Sequence, residues 1–230
     1  MSSDGSPTRR GVLTAGAATL AALAGCVGGS GGSDGSGGSG TPLADHPSTA
    51  GIDDQPRLGP DVADAPAVLV AFEDPSCSRC AAFERNTLPR LREHVDAGEL
   101  AYVFRVYPVI YPWGEPAVQA LEATFARDVD AFWALSGHYF AEQSAFSVDN
   151  VLDRTRTFLA DETDLDADAV VADAESGAYD DAVQADLDAG EAAGAGRTTP
   201  HLFMFRDGTY RTKASGSVSY DLVASALGLE

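Results

Sequence analysis

Cysteine is scarce in this chain, which has three among its 230 residues. They are Cys26, Cys77 and Cys80, and the last two form a single Cys-Ser-Arg-Cys motif. So few cysteines exclude a small scaffold held together by many disulfides. A zinc site needs about four ligands, and the histidines supply no second closely spaced pair. The motif therefore favours redox chemistry over metal binding.

Basic residues are also few, with 15 lysines and arginines against 35 acidic residues and a formal net charge of −20. Lys213 is the sole lysine, and no stretch of the chain forms a basic patch, which argues against nucleic-acid binding. The carboxylate excess is typical of proteins that work in molar salt, where the Debye length falls to about 3 Å. The alternative is an ordinary acidic protein.

A long hydrophobic run is missing as well. The uncharged stretch 11–25 is too short to span a bilayer. It follows Arg9-Arg10 and ends in Leu-Ala-Gly-Cys at Cys26, features that resemble a twin-arginine export signal and a lipobox. We therefore predict a signal over 1–25 and a lipidated Cys26 that anchors an extracytoplasmic domain to the membrane. The alternatives are an uncleaved anchor or a disordered tail.

Glycine and serine dominate the segment that follows the lipobox, so we predict a flexible linker over 26–51 and a folded domain over 52–230. Export places that domain where disulfides persist. Cys77 and Cys80 close too short a loop to stabilise the fold much. These two cysteines are therefore predicted to be reactive rather than structural.

Hydrophobic periodicity predicts a βαβ unit around the motif. Residues 67–73 form an apolar run, residues 100–107 are rich in β-branched and aromatic side chains, and a helical pattern from Ser78 to about Val95 lies between them. Cys77 then lies at a helix N-terminus, where unpaired N–H groups and the helix dipole stabilise a thiolate. Cys77 is the predicted attacking sulfur, and Cys80, one turn further on, is the resolving one.

The rest of the chain is helical first and then mixed. From residue 115 to 194 apolar residues recur with helical spacing, which indicates core packing. Two strands, 201–206 and 209–215, are predicted around Asp207-Gly208, a hairpin signal. Ser219 is the predicted cap of a final helix that ends near Leu227.

This order predicts an α/β, thioredoxin-like fold with an inserted helical subdomain. The segments 72–80, 104–108 and 196–200 (Phe-Glu-Asp-Pro-Ser-Cys-Ser-Arg-Cys, Phe-Arg-Val-Tyr-Pro and Gly-Arg-Thr-Thr-Pro) resemble the DsbA-like disulfide oxidoreductases, over about residues 58–228. The resemblance implies that Thr199-Pro200 is a cis-proline loop that faces the dithiol and docks an extended substrate.

Three further positions bear on the dithiol. Arg79, between the cysteines, and Asp74, three residues before Cys77, are the candidate modulators, and a cation at Arg79 is expected to favour the thiolate and a more oxidising disulfide. Ala71 stands where thioredoxins carry a buried acid that assists proton transfer.

The predicted function is an exported, membrane-anchored thiol-disulfide oxidoreductase that acts on protein thiols. No organic cofactor or metal is implied, and a membrane redox partner is expected to reset the dithiol. The alternative is a non-catalytic binding lipoprotein, a peptide carrier or a copper carrier in which His201 joins Cys77 and Cys80. A calcium loop at residues 164–175 is disfavoured because Ala169 stands where the loop requires glycine.

Overall fold

The computed structural model describes residues 40–229. The described strands are β1 (Arg57–Leu58), β2 (Ala67–Glu73), β3 (Leu100–Val106), β4 (His201–Arg206) and β5 (Thr209–Ser215). The described α-helices are α1 (Ser78–Asn86), α2 (Leu88–Asp96), α3 (Gly114–Phe125), α4 (Val129–Ala141), α5 (Val151–Glu162), α6 (Ala167–Ser176), α7 (Asp180–Ala192) and α8 (Tyr220–Leu227). Short 3-10 helices lie at Leu43–Asp45, Pro47–Thr49, Ile52–Asp54 and Gln143–Ala145.

The strands form one mixed sheet in the order β1-β3-β2-β4-β5. Strand β2 is the middle strand of this order. Every one of its residues is buried, as expected for a strand that is covered on both faces. It runs parallel to β3 and antiparallel to β4. The βαβ unit and the Asp207-Gly208 hairpin predicted from the sequence are thereby confirmed.

Successive residues of β2 point to opposite faces of the sheet, as the pleat requires. Val68, Val70 and Phe72 contribute to one hydrophobic cluster, whereas Leu69 and Ala71 contribute to the other, which also contains both cysteines of the motif. The odd-numbered face of β2 therefore forms the floor beneath the dithiol.

The helix predicted from Ser78 to about Val95 is divided into α1 and α2 at Thr87. Pro89 lies in the first turn of α2, where its missing N–H costs no hydrogen bond. The hydroxyl of Thr87 donates to the carbonyl oxygen of Val218 at 2.9 Å, which ties this break to the segment before α8.

The inserted helical subdomain consists of α3 to α7, between β3 and β4. Its apolar stripes are buried as expected, with Phe132, Leu135 and Tyr139 fully covered. Asp166 caps α6 by accepting a hydrogen bond from the backbone N–H of Ala169 at 3.1 Å. The aspartates that imitate a calcium loop therefore belong to a helix start.

Folded structure begins earlier than the expected start near Ile52, and that expectation was wrong. The backbone N–H of Gly40 donates to the carbonyl oxygen of Tyr210 at 3.0 Å, which adds this segment to the edge of β5. His46 is 2% exposed and stacks on Tyr210, with ring centroids 4.4 Å apart. The predicted signal, Cys26 and the first part of the predicted linker lie outside the described residues.

A buried arginine explains why residues 43–54 are folded. The guanidinium of Arg105 in β3 donates to the carbonyl oxygens of Ser48 and Ala50 at 2.9 and 2.8 Å. It also pairs with Asp186 of α7 at 2.8 Å, with both side chains 1% exposed. A buried charge needs such a complete set of partners, so the N-terminal segment is required to close the core here.

Across residues 40–229 no helix combines the length and the apolar character that a bilayer crossing requires.

Candidate functional site

The Cys-Ser-Arg-Cys motif lies between the end of β2 and the first turn of α1. Cys77 is the N-cap residue of α1, and its carbonyl oxygen accepts the first helical hydrogen bond, from Ala81. The two cysteines are free thiols, with Cys77 2% exposed and Cys80 fully buried. The sequence therefore placed both sulfurs at the correct structural junction.

The Cys77 thiol is strongly acidified. Its pKa is lowered to about 5, chiefly because the Cys80 thiol donates a hydrogen bond to it, and burial opposes this effect. The Thr199 side chain and the backbone N–H groups of Cys80 and Arg79 also stabilise the thiolate. The backbone N–H groups at the helix N-terminus therefore contribute to the low pKa of Cys77, but less than the Cys80 thiol does.

Cys80 is affected in the opposite direction. Burial raises its pKa well above the ordinary value, and the hydrogen bond to Cys77 and the charge of Glu73 raise it further. The two sulfurs of one motif are therefore distinct, an acidic Cys77 beside a Cys80 that keeps its proton.

The loop before β4 faces the dithiol. The Thr199–Pro200 peptide bond is cis. The Cys77 thiol donates to the carbonyl oxygen of Thr199 at 3.3 Å, and Nε of Arg79 donates to the same oxygen at 3.3 Å. The Thr199 hydroxyl is buried and has no hydrogen-bond partner within residues 40–229. It is therefore available as a hydrogen-bond donor to the Cys77 sulfur once that thiol is ionised.

Asp74 fixes the shape of the turn that precedes Cys77. Its Oδ1 accepts from the backbone N–H and the hydroxyl of Ser76, at 2.8 and 2.5 Å. Its Oδ2 accepts from the backbone N–H groups of Val109 and Ile110, at 2.8 and 2.7 Å. The candidate modulator Asp74 thus connects the dithiol turn with the loop after β3, which is a positioning role.

Gly114 makes room for this arrangement at the start of α3. A Cβ atom at this position would lie 2.5 Å from Oδ1 of Asp74, closer than real Cβ contacts, and 3.1 Å from the Ser76 hydroxyl, which is tighter than most of them. Gln143, from the inserted subdomain, adds a further support by donating to the carbonyl oxygens of Pro75 and Cys77 at 2.6 and 2.9 Å. The insertion therefore holds the dithiol turn as well as covering it.

A buried acid that the sequence did not indicate, Glu73, lies beneath the dithiol. Glu73, the last residue of β2, is fully buried, and its Oε1 accepts from the Tyr102 hydroxyl at 2.7 Å. The same hydroxyl lies 3.2 Å from Oε1 of Glu84 in α1. Burial raises the pKa of Glu73 well above normal, while the Cys80 thiol acts on it as a hydrogen-bond donor.

Glu84 completes this acidic cluster. Burial raises its pKa to about 7, so Glu73 and Glu84 hold at least one proton between them near neutral pH. The pleat could have revealed Glu73, because it lies two residues after Ala71 and therefore on the same face of β2. Ala71 itself carries no acid, but the buried carboxyl of Glu73 lies two residues further along the strand, on the same face.

Metal ligands are not assembled at this site. Within the described part of the chain, no group of three or more His, Cys, Asp or Glu side chains could hold a metal ion. His201 stacks on Phe203 with ring centroids 5.5 Å apart, and its Nδ1 lies 3.3 Å from the carbonyl oxygen of Thr198.

A dithiol at the N-terminus of the helix that follows a central strand, opposite a cis-proline loop, defines a protein of the thioredoxin fold. The family model described as Thioredoxin matches residues 57–215. The chain therefore belongs to the thioredoxin family.

Curated relatives match one part of the chain. "Probable disulfide bond formation protein D" of Bacillus cereus is 33% identical over 90 residues, which cover 39% of this chain and 41% of the relative. The protein of the same description from Bacillus anthracis matches equally well. The matched region thus spans less than half the length of these relatives.

Solved structures show the same fold. Oxidised BdbD from Bacillus subtilis has a TM-score of 0.66 and 21% identity, and the match covers 81% of this chain and 94% of that one. Wolbachia pipientis alpha-DsbA1 has a TM-score of 0.61 and 18% identity over 75% of this chain and 92% of that one. The fold prediction, a thioredoxin fold with a helical insertion, is confirmed.

Proposed function

We propose that this protein is a DsbA-like thiol-disulfide oxidoreductase that exchanges disulfides with protein substrates. The observation that carries the proposal is the opposite perturbation of two thiols in one motif, an acidic Cys77 and a basic, buried Cys80. A structural disulfide has no need of this difference, whereas dithiol exchange uses it, because one sulfur must be a stable thiolate and good leaving group.

The first step starts from the oxidised Cys77–Cys80 pair. A substrate thiolate attacks Sγ of Cys77, the Cys77–Cys80 bond breaks, and a mixed disulfide forms between the substrate and Cys77. Cys80 leaves with the electron pair and takes up a proton, because its pKa is high. Glu73 is the proposed proton donor, since burial raises its pKa well above the ordinary value and it is in contact with this thiol.

The second step releases the product. The second thiolate of the substrate attacks the substrate sulfur of the mixed disulfide, and Cys77 departs as a thiolate. Its pKa of about 5 makes it a good leaving group at neutral pH. The substrate has then lost two electrons to the dithiol, and a separate oxidant, proposed to be a membrane redox partner, must remove them before the next turnover.

Thr199 and Pro200 are the proposed docking residues for an extended substrate segment. The carbonyl oxygen of Thr199 accepts a hydrogen bond from the Cys77 thiol at 3.3 Å. A substrate chain that pairs with this loop therefore brings its own sulfur close to Sγ of Cys77. Arg79 donates to the same oxygen and is proposed to modulate the dithiol from this position.

The proposed location is extracytoplasmic, with the domain attached to the membrane through a lipidated Cys26 after export. The support is the paired arginines and the Leu-Ala-Gly-Cys sequence, and the charge of −20 is further proposed to suit a saline environment. A location where disulfides persist is what an oxidant of protein thiols requires.

The test is turnover of a dithiol peptide at molar salt, with glutathione disulfide as the oxidant that resets Cys77 and Cys80, together with trapping of the disulfide form of the peptide by single-cysteine variants. In the Cys80→Ser variant the Cys77 thiolate attacks the peptide disulfide and one peptide sulfur leaves as a thiol, so a mixed disulfide is expected to accumulate because no Cys80 resolves it. The Cys77→Ser variant is the matched control and is expected to trap none. Mass spectrometry of the adducts distinguishes them, and equal trapping by both variants would contradict the assigned roles. A wild-type protein without turnover would favour the non-catalytic carrier.

A further inference from the structure

A polar groove of about 350 Å³ starts beside the dithiol. One side is formed by α1 and α2, and the other by residues 217–221, which lead into α8. Arg79 lines the groove near the dithiol and Arg90 lines it on α2. Between them lie Phe83 and Val218, which are 2% and 7% exposed and therefore offer a partner little apolar surface.

The charge of this groove is opposite to that of the molecule. The chain carries a formal net charge of −20. Among the described residues that line the groove, Arg79 and Arg90 face one acid, Asp221. A local excess of positive charge on so acidic a protein marks a place where a negatively charged partner can be accommodated.

Arg79 makes no ion pair within residues 40–229, where its side chain donates through Nε to the carbonyl oxygen of Thr199 at 3.3 Å. Its Cδ lies 3.8 Å from where a Cβ on Gly216 would be, so the stem follows the backbone of this loop. The stem is thus held on one side, and the terminal nitrogens of the guanidinium can meet a carboxylate in bidentate fashion.

Arg90 is held in place by an aromatic ring. Its guanidinium carbon lies 3.6 Å from the centroid of the Tyr220 ring. Its contact with Asp221 is loose, 3.5 Å between side chains that are 57% and 87% exposed, and such surface pairs contribute little. Stacking on Tyr220 therefore holds the Arg90 guanidinium in place, and its N–H groups can still donate hydrogen bonds to a second carboxylate.

We propose that this groove binds an acidic segment of the client protein, with client carboxylates on Arg79 and Arg90, an inference that rests on the proposed function. The two arginines are eleven positions apart on the consecutive helices α1 and α2, which is about 16 Å measured along the helices at about 1.5 Å per residue. An extended client chain covers that distance in about five residues. The client class is thus an extended cysteine-containing segment with acidic residues within about five positions of the reacting cysteine.

Contact rather than long-range attraction provides the selection. In molar salt, charges are screened beyond about 3 Å, so the field of the whole acidic protein does not repel an acidic client. A client segment seated in the groove covers its own carboxylates and the two guanidinium groups, and charge pairs that are partly buried in this way are screened much less than exposed ones. Specificity for acidic clients and a highly acidic surface are therefore compatible.

The test compares two dithiol peptides that differ at two positions, Glu-Glu or Lys-Lys, about five residues from the reactive cysteine. The oxidised protein converts each peptide dithiol to a disulfide as its own Cys77–Cys80 bond is reduced to two thiols. Each rate constant is divided by that variant's rate constant for dithiothreitol, which is too small to occupy the groove. We expect the acidic peptide to react about fivefold faster, equivalent to about 1 kcal/mol.

Substitutions at Arg90, compared with one control substitution at Arg85, locate the effect. Arg90→Glu is expected to remove or reverse the preference, with Arg90→Gln as a milder second variant should circular dichroism show that the first does not fold. Arg85→Glu is the matched control, because Arg85 is exposed on α1 and does not line the groove. It is expected to leave the ratio of the two peptide rates unchanged.

Equal normalised rates for the two wild-type peptides would overturn the inference, as would an unchanged ratio in both Arg90 variants. These failures differ from failure of the proposed function, in which the wild-type protein would not oxidise dithiothreitol either. Oxidation of dithiothreitol without discrimination between the peptides removes the acidic-client groove alone.

Discussion

Glu73 and Cys80 are coupled in the buried base of the dithiol. Charge on the Glu73 carboxyl raises the pKa of the Cys80 thiol, and that thiol acts on Glu73 as a hydrogen-bond donor. Oε2 of Glu73 has no other partner of normal hydrogen-bond geometry within residues 40–229. The second oxygen of the acid is therefore available for the proton that Cys80 must gain or lose in each turnover.

Glu73→Gln is expected to slow the steps in which Cys80 changes its protonation state, by about tenfold or more, because general acid-base catalysis contributes at least that much. Stopped-flow measurement of dithiol-peptide oxidation across pH checks this. The variant should also lose the pH dependence that the acid provides. Glu84→Gln is the comparison, since Glu84 interacts with Glu73 and the Tyr102 hydroxyl but does not act on the Cys80 thiol, and an equal effect of both variants would contradict a specific role for Glu73.

Titration of the reduced protein by thiolate absorbance is expected to show Cys77 ionising near pH 5. Because this pKa is depressed relative to the unfolded chain, it stabilises the reduced fold above the unfolded pKa, and the benefit is lost as pH falls through about 5. Thr199→Val and Arg79→Glu should each raise the Cys77 pKa and make the disulfide less oxidising. A wild-type potential at or below that of thioredoxin would favour a reductase.

Gly114→Ala is expected to destabilise the protein by about 2 kcal/mol, because the new methyl group meets the Asp74 carboxylate. Gly137→Ala is the matched control, since a Cβ there meets nothing within 4 Å and alanine favours helix α4. Chemical denaturation of both variants gives the comparison. Equal stability of the two would show that Asp74 does not require the close approach of Gly114.

In the oxidised protein, where Cys77 does not titrate, Glu122 is expected to make the fold less stable as pH rises from about 5 to about 8. Burial, followed by the charge of Asp186, raises the pKa of Glu122 to about 8, so the folded state retains a proton that the unfolded chain has lost. One such proton changes the free energy of unfolding by up to about 1.4 kcal/mol per pH unit. Glu122→Gln should flatten this slope, and an identical slope in wild type and variant would exclude Glu122 as its source.

Cys26→Ser is expected to release the protein from membranes, because a single lipid on Cys26 is the proposed anchor. Fractionation of cells that express each form, with a cytoplasmic and a membrane marker as controls, measures the distribution. Retention of the variant in the membrane fraction with an intact N-terminus would indicate an uncleaved anchor instead.

Hydrophobic periodicity, together with turn-forming and helix-ending residues, determined the βαβ unit, the helical insertion, the hairpin at Asp207-Gly208 and the position of Cys77 at a helix start. These features are local, since a strand, a turn or a helix cap depends on residues close to each other in the chain. The same reasoning misjudged the start of the folded domain. The contacts that order residues 43–54 are made to Arg105 and Tyr210, more than 50 positions away in the sequence.

The tertiary structure alone decided how the dithiol is tuned. Glu73, Tyr102 and Glu84 come from two strands and a helix, and their pKa values depend on burial that no local pattern reports. The sequence by itself determined that a Cys-Ser-Arg-Cys dithiol starts a helix after a buried strand. Packing decided which contacts separate the pKa values of the two sulfurs, where the proton partner of Cys80 lies and which arginines border the adjacent groove, because electrostatic effects depend on distance and dielectric in three dimensions.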